Sequence, residues 1–355
     1  MQIQNNILLA PYTTFKIGGP AKFFCVVKDQ FEALEACEFA QENNLQTFVL
    51  AGGSNILVSD KGFDGLVIKV ESRGIEVLED GDHLPGQVIL RVASGESWDE
   101  VVSFSVKNNW WGLENLSHIP GSTGAIAVQN VGAYGQEAKN VIESVTVFNR
   151  ETHEIQNLSN AECGFEYRKS IFNSTARGKY IIFYINFKLS KVPTPILTYR
   201  DLQNRFSDRN PSQAEIRDAV IEIRDKKFPF PVEAKKGNAG SFFKNPILSE
   251  SEYNDLKDVI TRNISEDAAI ILDQKKFTEN SNIKVPAAYL LEICGVKGLK
   301  TGGAAINPNQ PLVIINETGS ATSSDVLNLA EEVRKRVLNT TGIKLKFEPE
   351  LIGFK

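Results

Sequence analysis

The sequence predicts an α+β protein of two or three domains. A chain of 355 residues is longer than a single hydrophobic core usually organises. Helical and strand patterns occur together: the apolar residues of 30–43 group towards one helical side, whereas 180–189 alternate as a half-buried strand does. No Walker loop occurs, and the glycine turn at 51–58 lacks the Gly-x-Gly-x-x-Gly pattern and following helix of a Rossmann fold. A nucleotide held by this chain would therefore need a different cradle.

The composition is that of a soluble globular protein, with 42% hydrophobic and 23% charged residues. The net charge of −5 argues against a general nucleic-acid binder. No apolar run approaches the roughly 20 residues that span a bilayer, and the N-terminus lacks the basic start of a signal peptide. The four cysteines form no CxxC pair and the three histidines have no helical ligand spacing. We therefore expect reduced thiols, no metal site and a cytoplasmic location.

The first part of the chain is predicted to contain strands and one helix. Strands are expected at 21–27, 47–50 and 65–70, and the helix at 30–43. After the second strand comes Gly52-Gly53-Ser54-Asn55, a glycine turn whose backbone N–H groups can form an anion-binding nest. A plain strand-connecting turn explains these residues equally well.

A long glycine-rich segment with almost no charge follows in the second part. The composition becomes more polar after Lys69, which predicts a domain boundary, and 87–93 and 98–108 predict a strand and a helix. The next segment, 112–135, is longer and less polar than ordinary loops. Its glycines, asparagines and serines suit the wrapping of a large, flat, partly polar ligand by backbone groups. We favour that interpretation over a purely structural role.

Arg168 lies among aromatic residues between predicted strands at 143–149 and 180–189. An arginine in this setting can stack on a ring, pair with Glu166 or clamp a carboxylate. From spacing alone, a structural ion pair is nearly as well supported as a binding role.

The next part leads into a decapeptide rich in functional groups. Residues 193–210 are expected to be irregular, 213–227 to form a helix, and 228–231 to end that helix with two prolines. The decapeptide Gly237–Pro246 then combines glycines with a hydroxyl, a cation and amides. Gly237 and Gly240 permit positive φ or close approach, so we expect Ser241 on a constrained turn, with two phenylalanines behind it to exclude water. A surface turn anchored by the phenylalanines is the alternative.

The C-terminal part is predicted to hold a short helix within 283–295, a strand at 312–316 and a final helix over 322–342. Glu348 and Glu350 lie two residues apart, so they share one face of a strand. From these residues alone, a solvated strand edge is the favoured explanation of that pair.

Together these segments resemble one family, the UDP-N-acetylenolpyruvoylglucosamine reductases, which are flavoenzymes of bacterial peptidoglycan synthesis. The matching blocks occur in family order along the whole chain, and their combination is far more specific than any one block. The segment around Tyr199 is similar to the family form with a longer substrate domain and a mobile tyrosine loop. The blocks are 13–19, 51–58, 112–135, 167–172, 237–246 and 348–350.

The resemblance implies a flavin-binding fold of the vanillyl-alcohol-oxidase type, made of two α+β subdomains, with a third α+β domain that covers the substrate. The implied domains are 1–74, 75–228 and 229–343, with 344–355 returning to the first. It also implies non-covalent FAD as cofactor, and NADPH and UDP-N-acetylglucosamine enolpyruvate as substrates. We expect a monomer with no nucleic-acid or membrane partner.

The resemblance also assigns roles to individual residues. By motif position, Arg168 stabilises developing negative charge, Ser241 donates a proton to carbon, and Glu350 is an acidic partner that is protonated or orients a donor. The residues expected to hold the substrate are Tyr199, Lys227, Asn245 and Gln310. The residues expected to bind FAD are Gly52, Gly53, Ser54, Asn55, Ile119, Pro120, Gly121, Ser122, Gly124, Asn130 and Gly132.

The implied reaction has two halves: NADPH reduces FAD and leaves, and hydride then passes to the vinyl carbon remote from the substrate carboxylate. A serine hydroxyl is a poor acid in water, but it can protonate so basic a carbon. An acyl-transfer role for Ser241 is disfavoured, because position 243 is Phe where Gly-x-Ser-x-Gly requires glycine, and no histidine lies close in sequence.

Two other functions stay open at this point. Another FAD oxidoreductase of the same fold, such as an alcohol or lactone oxidase, would normally attach its flavin to a histidine, and His118 is the candidate in the glycine-rich segments. A non-enzymatic module that binds nucleotide sugars would carry no flavin. A flavin that stays with the chain after acid precipitation would favour the oxidase, and a colourless protein that FAD cannot reconstitute would favour the binding module.

Overall fold

The computed structural model describes residues 1–79, 85–227, 237–279 and 281–354. The chain divides into two compact units. Unit 1 comprises Met1–Leu8, Pro20–Gly53 and Phe63–Phe230, and unit 2 comprises Leu9–Gly19, Ser54–Gly62 and Pro231–Lys355. The division into three domains stays a prediction. Its boundary at 228/229 and the predicted helix end at 228–231 lie outside the described residues.

Strands and helices are numbered in chain order. The strands are β1 (Gln4–Leu8), β2 (Pro20–Val27), β3 (Gln46–Leu50), β4 (Ile56–Val58), β5 (Phe63–Val70), β6 (Ile75–Glu79), β7 (Gln87–Ala93), β8 (Gly132–Ala133), β9 (Gln136–Glu137), β10 (Ile142–Asn149), β11 (Glu154–Ser159), β12 (Tyr180–Ser190), β13 (Asn238–Ser241), β14 (Ile247–Leu248), β15 (Phe277–Glu279), β16 (Asn282–Lys284), β17 (Lys300–Thr301), β18 (Ala304–Ile306), β19 (Val313–Asn316) and β20 (Glu350–Ile352). The helices are α1 (Gln30–Glu42), α2 (Trp98–Lys107), α3 (Thr123–Val128), α4 (Arg200–Arg205), α5 (Gln213–Lys227), α6 (Glu250–Asn263), α7 (Glu266–Lys275), α8 (Ala287–Ile293) and α9 (Ser323–Thr341).

Unit 1 contains two large sheets. The first has the order β1-β2-β5-β3, in which β1 is antiparallel to β2 while β2, β5 and β3 run parallel. The second has the order β11-β10-β12-β7-β6 and is antiparallel throughout. The alternating pattern at 180–189 is confirmed as β12, which buries Phe183, Ile185, Phe187 and Leu189. Helix α2 places Trp98 in the same core as Phe187, with ring centroids 5.6 Å apart.

Helix α1 shows how a local signal sets an element boundary. The Asp29 carboxylate accepts hydrogen bonds from the backbone N–H groups of Phe31 and Glu32, both at 2.9 Å. This cap satisfies donors that the first helical turn leaves without partners. Ala33 and Ala36 then face the core of the first sheet. The helix predicted at 30–43 is confirmed with a one-residue difference at its end.

Unit 2 contains a sheet of order β13-β19-β18-β17, a sheet of order β14-β16-β15, and the parallel pair β4-β20. Helix α9 begins with a capping box between Thr322 and Asp325 and ends at Gly342, whose φ of 77° suits glycine. Its apolar face packs into the core of this unit, which confirms the predicted final helix. Among the described residues, no helix combines the length and apolar character needed to cross a membrane.

Two expectations about local structure were wrong, and further helices were missed. Helix α4 lies inside 193–210, which was expected to be irregular, and α6 and α7 were not predicted at all. Ser241 was expected on a turn, but it is the last residue of β13 and pairs with Val313. Pairing with β19 explains that difference, because the sequence around the glycines does not show that a neighbouring strand is available.

Candidate active site

Gly52 of the glycine turn lies against the backbone of the glycine-rich segment. A Cβ atom on Gly52 would come within 2.4 Å of Gly121 Cα and 2.5 Å of the Ser122 nitrogen, so only glycine fits without a shift of backbone. Gly53 follows with a φ of 63°, in the left-handed region. Two segments predicted to bind FAD are thus side by side within unit 1.

The glycine-rich segment is also fixed from the end of β7 and the start of α2. The Gly121 carbonyl accepts a hydrogen bond from the Trp98 backbone N–H at 3.0 Å, and the Gly124 N–H donates to the Ser94 carbonyl at 2.9 Å. These bonds hold the segment by its main chain. Its path is therefore set before any ligand binds.

Ser122 adds a buried polar group that the chain does not satisfy. Its hydroxyl has no hydrogen-bond partner within the described part of the chain, and the residue is 8% exposed. Buried hydroxyls normally have a partner, so a ligand atom beside Ser122 would satisfy it. The close approach of Gly52 and this hydroxyl fit FAD, whose pyrophosphate suits the N–H groups of a glycine turn. Ile119 and Pro120 are half-buried directly before these residues.

Asn130 has an amide that the chain itself uses. Its Nδ2 donates to Glu137 Oε2 and to the Glu166 carbonyl, both at 3.0 Å, and its Oδ1 accepts from the Lys139 backbone at 2.9 Å. Asn130 thus ties the end of the glycine-rich segment to the turn that carries Arg168. We expect any contact of Asn130 with FAD to come from its main chain.

Arg168 lies in that turn with a φ of 52° and is half-buried. One guanidinium nitrogen donates to the Gly132 carbonyl at 2.8 Å, and the guanidinium carbon lies 5.2 Å from the centroid of the Tyr167 ring. Glu166, which was one possible partner, forms an exposed ion pair with Lys169 at 2.9 Å. The Gly132 carbonyl and the Tyr167 ring therefore set the orientation of the half-buried Arg168 guanidinium.

The residue that follows Ser241 is held by two main-chain hydrogen bonds. The Phe242 N–H donates to the Leu312 carbonyl at 2.7 Å, and the Phe242 carbonyl accepts from the Glu348 N–H at 2.9 Å. The Phe242 and Phe243 side chains are buried, with ring centroids 5.7 Å apart. Ser241 is half-buried, and its hydroxyl has no hydrogen-bond partner in the described ranges. A hydroxyl so placed can donate to a ligand.

Glu350 begins β20 beside the second half of the glycine turn. Its backbone N–H donates to the Asn55 carbonyl at 3.0 Å, and Asn55 Nδ2 donates to the Glu348 carbonyl at 3.2 Å. Ser54 precedes Asn55 in the same unit. Because Glu348 also bonds to Phe242, the segments that carry Asn55, Ser241 and Glu350 form one hydrogen-bonded set within unit 2.

The other two residues predicted to hold the substrate, Asn245 and Gln310, belong to segments connected to Ser241. The Gln310 carbonyl accepts from the N–H of Val313, which is the residue paired with Ser241, at 3.0 Å. Asn245 Oδ1 accepts from the Ala287 N–H at 2.9 Å and so fixes the start of α8. The side-chain oxygen of Asn245 therefore already accepts a hydrogen bond from within the chain.

Tyr199 and Lys227 come together in unit 1. Lys227 Nζ lies 5.5 Å from the centroid of the Tyr199 ring and 5.7 Å from that of Tyr134, and the two rings are 5.0 Å apart. It also pairs with Asp201 at 3.1 Å. Burial disfavours the ammonium, but the two phenols and Asp201 outweigh it, so the pKa of Lys227 is raised. The side chain is a retained positive charge framed by aromatic rings.

Helix α5, whose last described residue is Lys227, is anchored to α2 and to the glycine-rich segment. Arg217 forms two hydrogen bonds to the Asp99 carboxylate, at 2.7 and 2.8 Å. Arg224 Nε donates to the His118 carbonyl at 2.8 Å, and His118 Nε2 lies 3.0 Å from Asp225 Oδ1. The position of Lys227 is therefore set by contacts along the helix.

Glu114 is a fully buried carboxyl near the start of the same segment. It is 0% exposed, and it accepts hydrogen bonds from the Gly112 N–H at 2.8 Å and from Gln213 Nε2 at 3.2 Å. Burial raises the pKa of Glu114 against the opposing effect of these donors. The bond to Gln213 links Glu114 to α5.

Sequence reasoning missed Tyr134, Asp201 and Asn238 as candidates. Tyr134 and Asp201 contact Lys227, and Asn238 starts the strand that ends at Ser241. Each lies inside a stretch that was singled out, but no spacing rule joins Tyr134 to Lys227. Among the described residues, no group of histidine, cysteine and carboxylate side chains is arranged to hold a metal ion.

Comparison with known proteins places these segments in context. Residues 21–159 match the family model "FAD binding domain", and residues 231–352 match "UDP-N-acetylenolpyruvoylglucosamine reductase, C-terminal domain". The UDP-N-acetylenolpyruvoylglucosamine reductase of Flavobacterium johnsoniae is 38% identical, covering 99% of this chain and 100% of that one. The protein of the same name from Shewanella sp. (strain MR-7) is 37% identical, covering 97% and 96%.

A solved structure supports the fold. The crystal structure of the reductase from Thermus caldophilus has a TM-score of 0.66 and 24% identity, covering 99% of both chains. With the FAD-binding domain match, it confirms the predicted α+β flavin-binding fold. The identities over nearly full length show that this chain belongs to the UDP-N-acetylenolpyruvoylglucosamine reductase family.

Proposed function

We propose that this chain reduces UDP-N-acetylglucosamine enolpyruvate to UDP-N-acetylmuramate, with non-covalent FAD as cofactor and NADPH as electron source. Family membership makes it an FAD-dependent oxidoreductase of peptidoglycan precursor synthesis. The observation that carries the proposal is the Ser241 hydroxyl, which is held on a bonded strand end and has no partner among the described residues. A monomeric state and a cytoplasmic location stay predictions.

FAD would be held by the close-packed glycine turn and by the segment that contains Gly121 and Ser122. When bound and reduced, FAD supplies a hydride donor. The main-chain bonds of this segment keep the cradle fixed, so that little ordering is required on binding. The Ser122 hydroxyl would gain the partner that it lacks.

Arg168 would stabilise the negative charge that develops on the substrate carbon and carboxylate when hydride arrives. Its guanidinium is already directed by the Gly132 carbonyl and the Tyr167 ring, so little reorganisation is needed during the reaction. Loss of one such preorganised donor typically costs about 3 kcal/mol of transition-state stabilisation. Arg168 therefore acts on the transition state more than on ground-state binding.

Ser241 would give its hydroxyl proton to the carbon beside the carboxylate. A carbanion-like centre is basic enough to take a proton from a hydroxyl, and the buried Phe242 and Phe243 rings limit water at the back of the strand. Glu350, fixed through its main chain to Asn55, would orient a donor or hold a proton of its own.

Lys227 and Tyr199 would bind the diphosphate of the substrate. A retained ammonium next to a phenol supplies the charge and the donor that phosphate oxygens need. Asn245 and Gln310 would contact the sugar or the base. Asn245 is held by a hydrogen bond from the first residue of α8, and Gln310 by one from the first residue of β19.

The test is a titration followed in the visible spectrum. The purified protein should be yellow, lose its flavin absorbance when NADPH is added without oxygen, and regain it when the enolpyruvyl nucleotide sugar is added. The product should be heavier by two hydrogens. A flavin that the sugar leaves reduced and only oxygen reoxidises would contradict the proposal, as would a flavin that stays with the chain after acid precipitation or a colourless protein that FAD cannot reconstitute.

A further inference from the structure

Asn238 begins β13 and is among the most buried polar residues of unit 2, at 1% exposure. Both of its main-chain groups are used. The Asn238 N–H donates to the Thr14 carbonyl at 3.1 Å, and the Asn238 carbonyl accepts from Thr14 Oγ1 at 2.7 Å. The backbone is therefore fixed, and the side chain is the group that needs an explanation.

The orientation of the Asn238 amide is set by one hydrogen bond. Its Oδ1 accepts from the Gly240 backbone N–H at 2.9 Å. Because a backbone N–H can only donate, the oxygen must face Gly240 and Nδ2 must point elsewhere. Nδ2 is buried and has no hydrogen-bond partner among the described residues. Leaving such a donor without a partner costs about 1–3 kcal/mol.

The unsatisfied donor lies on the strand that carries the proposed proton donor. Asn238 pairs with Ile315 and Ser241 with Val313, and the register shifts between these two pairs. Gly240, with a φ of 69°, lies inside that irregularity. The short, irregular strand β13 therefore has the buried side-chain N–H of Asn238 at one end. At its other end is the Ser241 hydroxyl, which has no hydrogen-bond partner among the described residues.

We propose that Asn238 binds the ligand: its Nδ2 donates a hydrogen bond to an oxygen acceptor of the group bound beside Ser241. This inference rests on the proposed function. The acceptor is either a carbonyl oxygen of the flavin ring or an oxygen of the substrate's enolpyruvyl carboxylate, and the two sources share the chemistry of a planar oxygen acceptor. The unbound protein then carries a cost that the ligand removes, a common feature of functional sites.

Asn316 provides a matched control on the neighbouring strand. It is 0% exposed and follows Ile315, the partner of Asn238. Both sides of its amide are used within the chain, because Oδ1 accepts from the Ala321 N–H at 3.0 Å and Nδ2 donates to the Phe15 carbonyl at 3.4 Å. Asn316 is thus a buried asparagine of the same unit whose amide oxygen and amide nitrogen both already have a partner in the chain.

The experiment compares Asn238→Leu with Asn316→Leu. Thermal unfolding of the apoprotein is measured first, then FAD affinity by flavin fluorescence, then affinity for the enolpyruvyl nucleotide sugar at saturating FAD. We expect Asn238→Leu to lower the apoprotein Tm less than Asn316→Leu does, because it removes an unsatisfied donor together with the single bond to the Gly240 N–H, and to weaken one of the two affinities at least tenfold. Loss of FAD affinity identifies the flavin as acceptor, and loss of sugar affinity identifies the carboxylate. Asn316→Leu should lower the apoprotein Tm and leave both affinities unchanged.

The inference is overturned if Asn238→Leu lowers the Tm as Asn316→Leu does while both affinities stay at the wild-type values, since a buried water or a purely structural turn would behave in that way. If the leucine variant does not fold, Asn238→Asp keeps the acceptor for Gly240 and removes the donor, and it should show the same affinity loss. The two proposals fail separately. Wild-type turnover with unchanged affinities in the variants rejects the role of Asn238 alone, and an affinity loss without wild-type turnover rejects the proposed reaction alone.

Discussion

Lys227 Nζ lies 5.5 Å from the centroid of the Tyr199 ring, at the C-terminal end of α5. The same ammonium pairs with Asp201 at 3.1 Å. A diphosphate that bound here would compete with Asp201 for the cation while gaining the phenol as a second donor. A bound phosphate would therefore replace Asp201 as the partner of the Lys227 ammonium.

Replacing Lys227 with methionine should weaken substrate binding. A hydrogen bond to a charged group contributes about 1.5–3 kcal/mol, so we expect KM for the nucleotide sugar to rise at least tenfold with little change in kcat. Lys226→Met is the control, because Lys226 is exposed and pairs with Glu222 on the surface of the same helix. Steady-state kinetics measure both variants, and an equal rise in KM for the two would reject a specific role of Lys227.

Arg168→Ala should slow turnover far more than it weakens FAD binding. If the guanidinium stabilises the transition state, its loss costs about 3 kcal/mol, or about a hundredfold in kcat. Lys169→Ala removes the neighbouring cation, which is exposed and paired with Glu166, and should leave kcat near the wild-type value. Flavin content per chain is measured alongside. An Arg168→Ala protein that is purified without flavin would indicate that the arginine only supports the fold around Gly132.

Gly52→Ala should lose FAD. Its Cβ would press into Gly121 at 2.4 Å, which requires the backbone of the glycine-rich segment to move. Gly178→Ala is the comparison, because Gly178 has a φ of 79° but a Cβ added there would meet no atom within 4 Å, so it reports backbone strain alone. That strain costs roughly 1–2 kcal/mol. Equilibrium dialysis should show a large loss of FAD affinity for Gly52→Ala, and equal FAD affinity in the two variants would contradict the cradle.

Glu114→Gln should change how stability depends on pH. Burial raises the pKa of Glu114 in the folded state above its ordinary value of 4.5. Between those two pKa values the folded chain keeps a proton that the unfolded chain has lost, so this group's contribution to stability falls as pH rises. Below pH 4.5 the contribution is fully present.

Glutamine keeps an acceptor for the Gly112 N–H but does not ionise. The free energy of unfolding of Glu114→Gln, relative to wild type, should therefore increase as pH rises above about 4.5 and level off once the carboxyl has ionised in the folded state. Urea unfolding at a series of pH values measures this difference. Parallel pH profiles for the two proteins would show that the carboxyl ionises normally.

Local signals explain which elements were predictable. The start of α5 and the bounds of β7 follow from apolar periodicity and flanking residues, and the structure has both where they were expected. Helix α6 also carried a signal that was overlooked, because Ser249 and Glu252 form a capping box at its start. Helix α3 was not expected, since Gly124 lowers helix propensity, and its position depends on packing against Ser94.

Long-range relationships explain what the sequence could not show. Gly52 was a reasonable candidate for a phosphate turn, but its contact with Gly121 depends on how unit 1 folds. The sequence does not show that the Asn238 amide lacks a partner, because an unsatisfied donor is a property of its three-dimensional surroundings. The proposed roles of Ser241 and Arg168 could be assigned from the sequence, because each residue lies in a short block that resembles the family.

The central claim is that Ser241 completes the reduction by giving a proton to carbon, and rapid-mixing kinetics of Ser241→Ala test it most directly. The half-reaction in which NADPH reduces the flavin should keep its wild-type rate, while reoxidation by the enolpyruvyl nucleotide sugar should slow by orders of magnitude. Equal slowing of both half-reactions, or a wild-type rate of reoxidation, would contradict the role of Ser241.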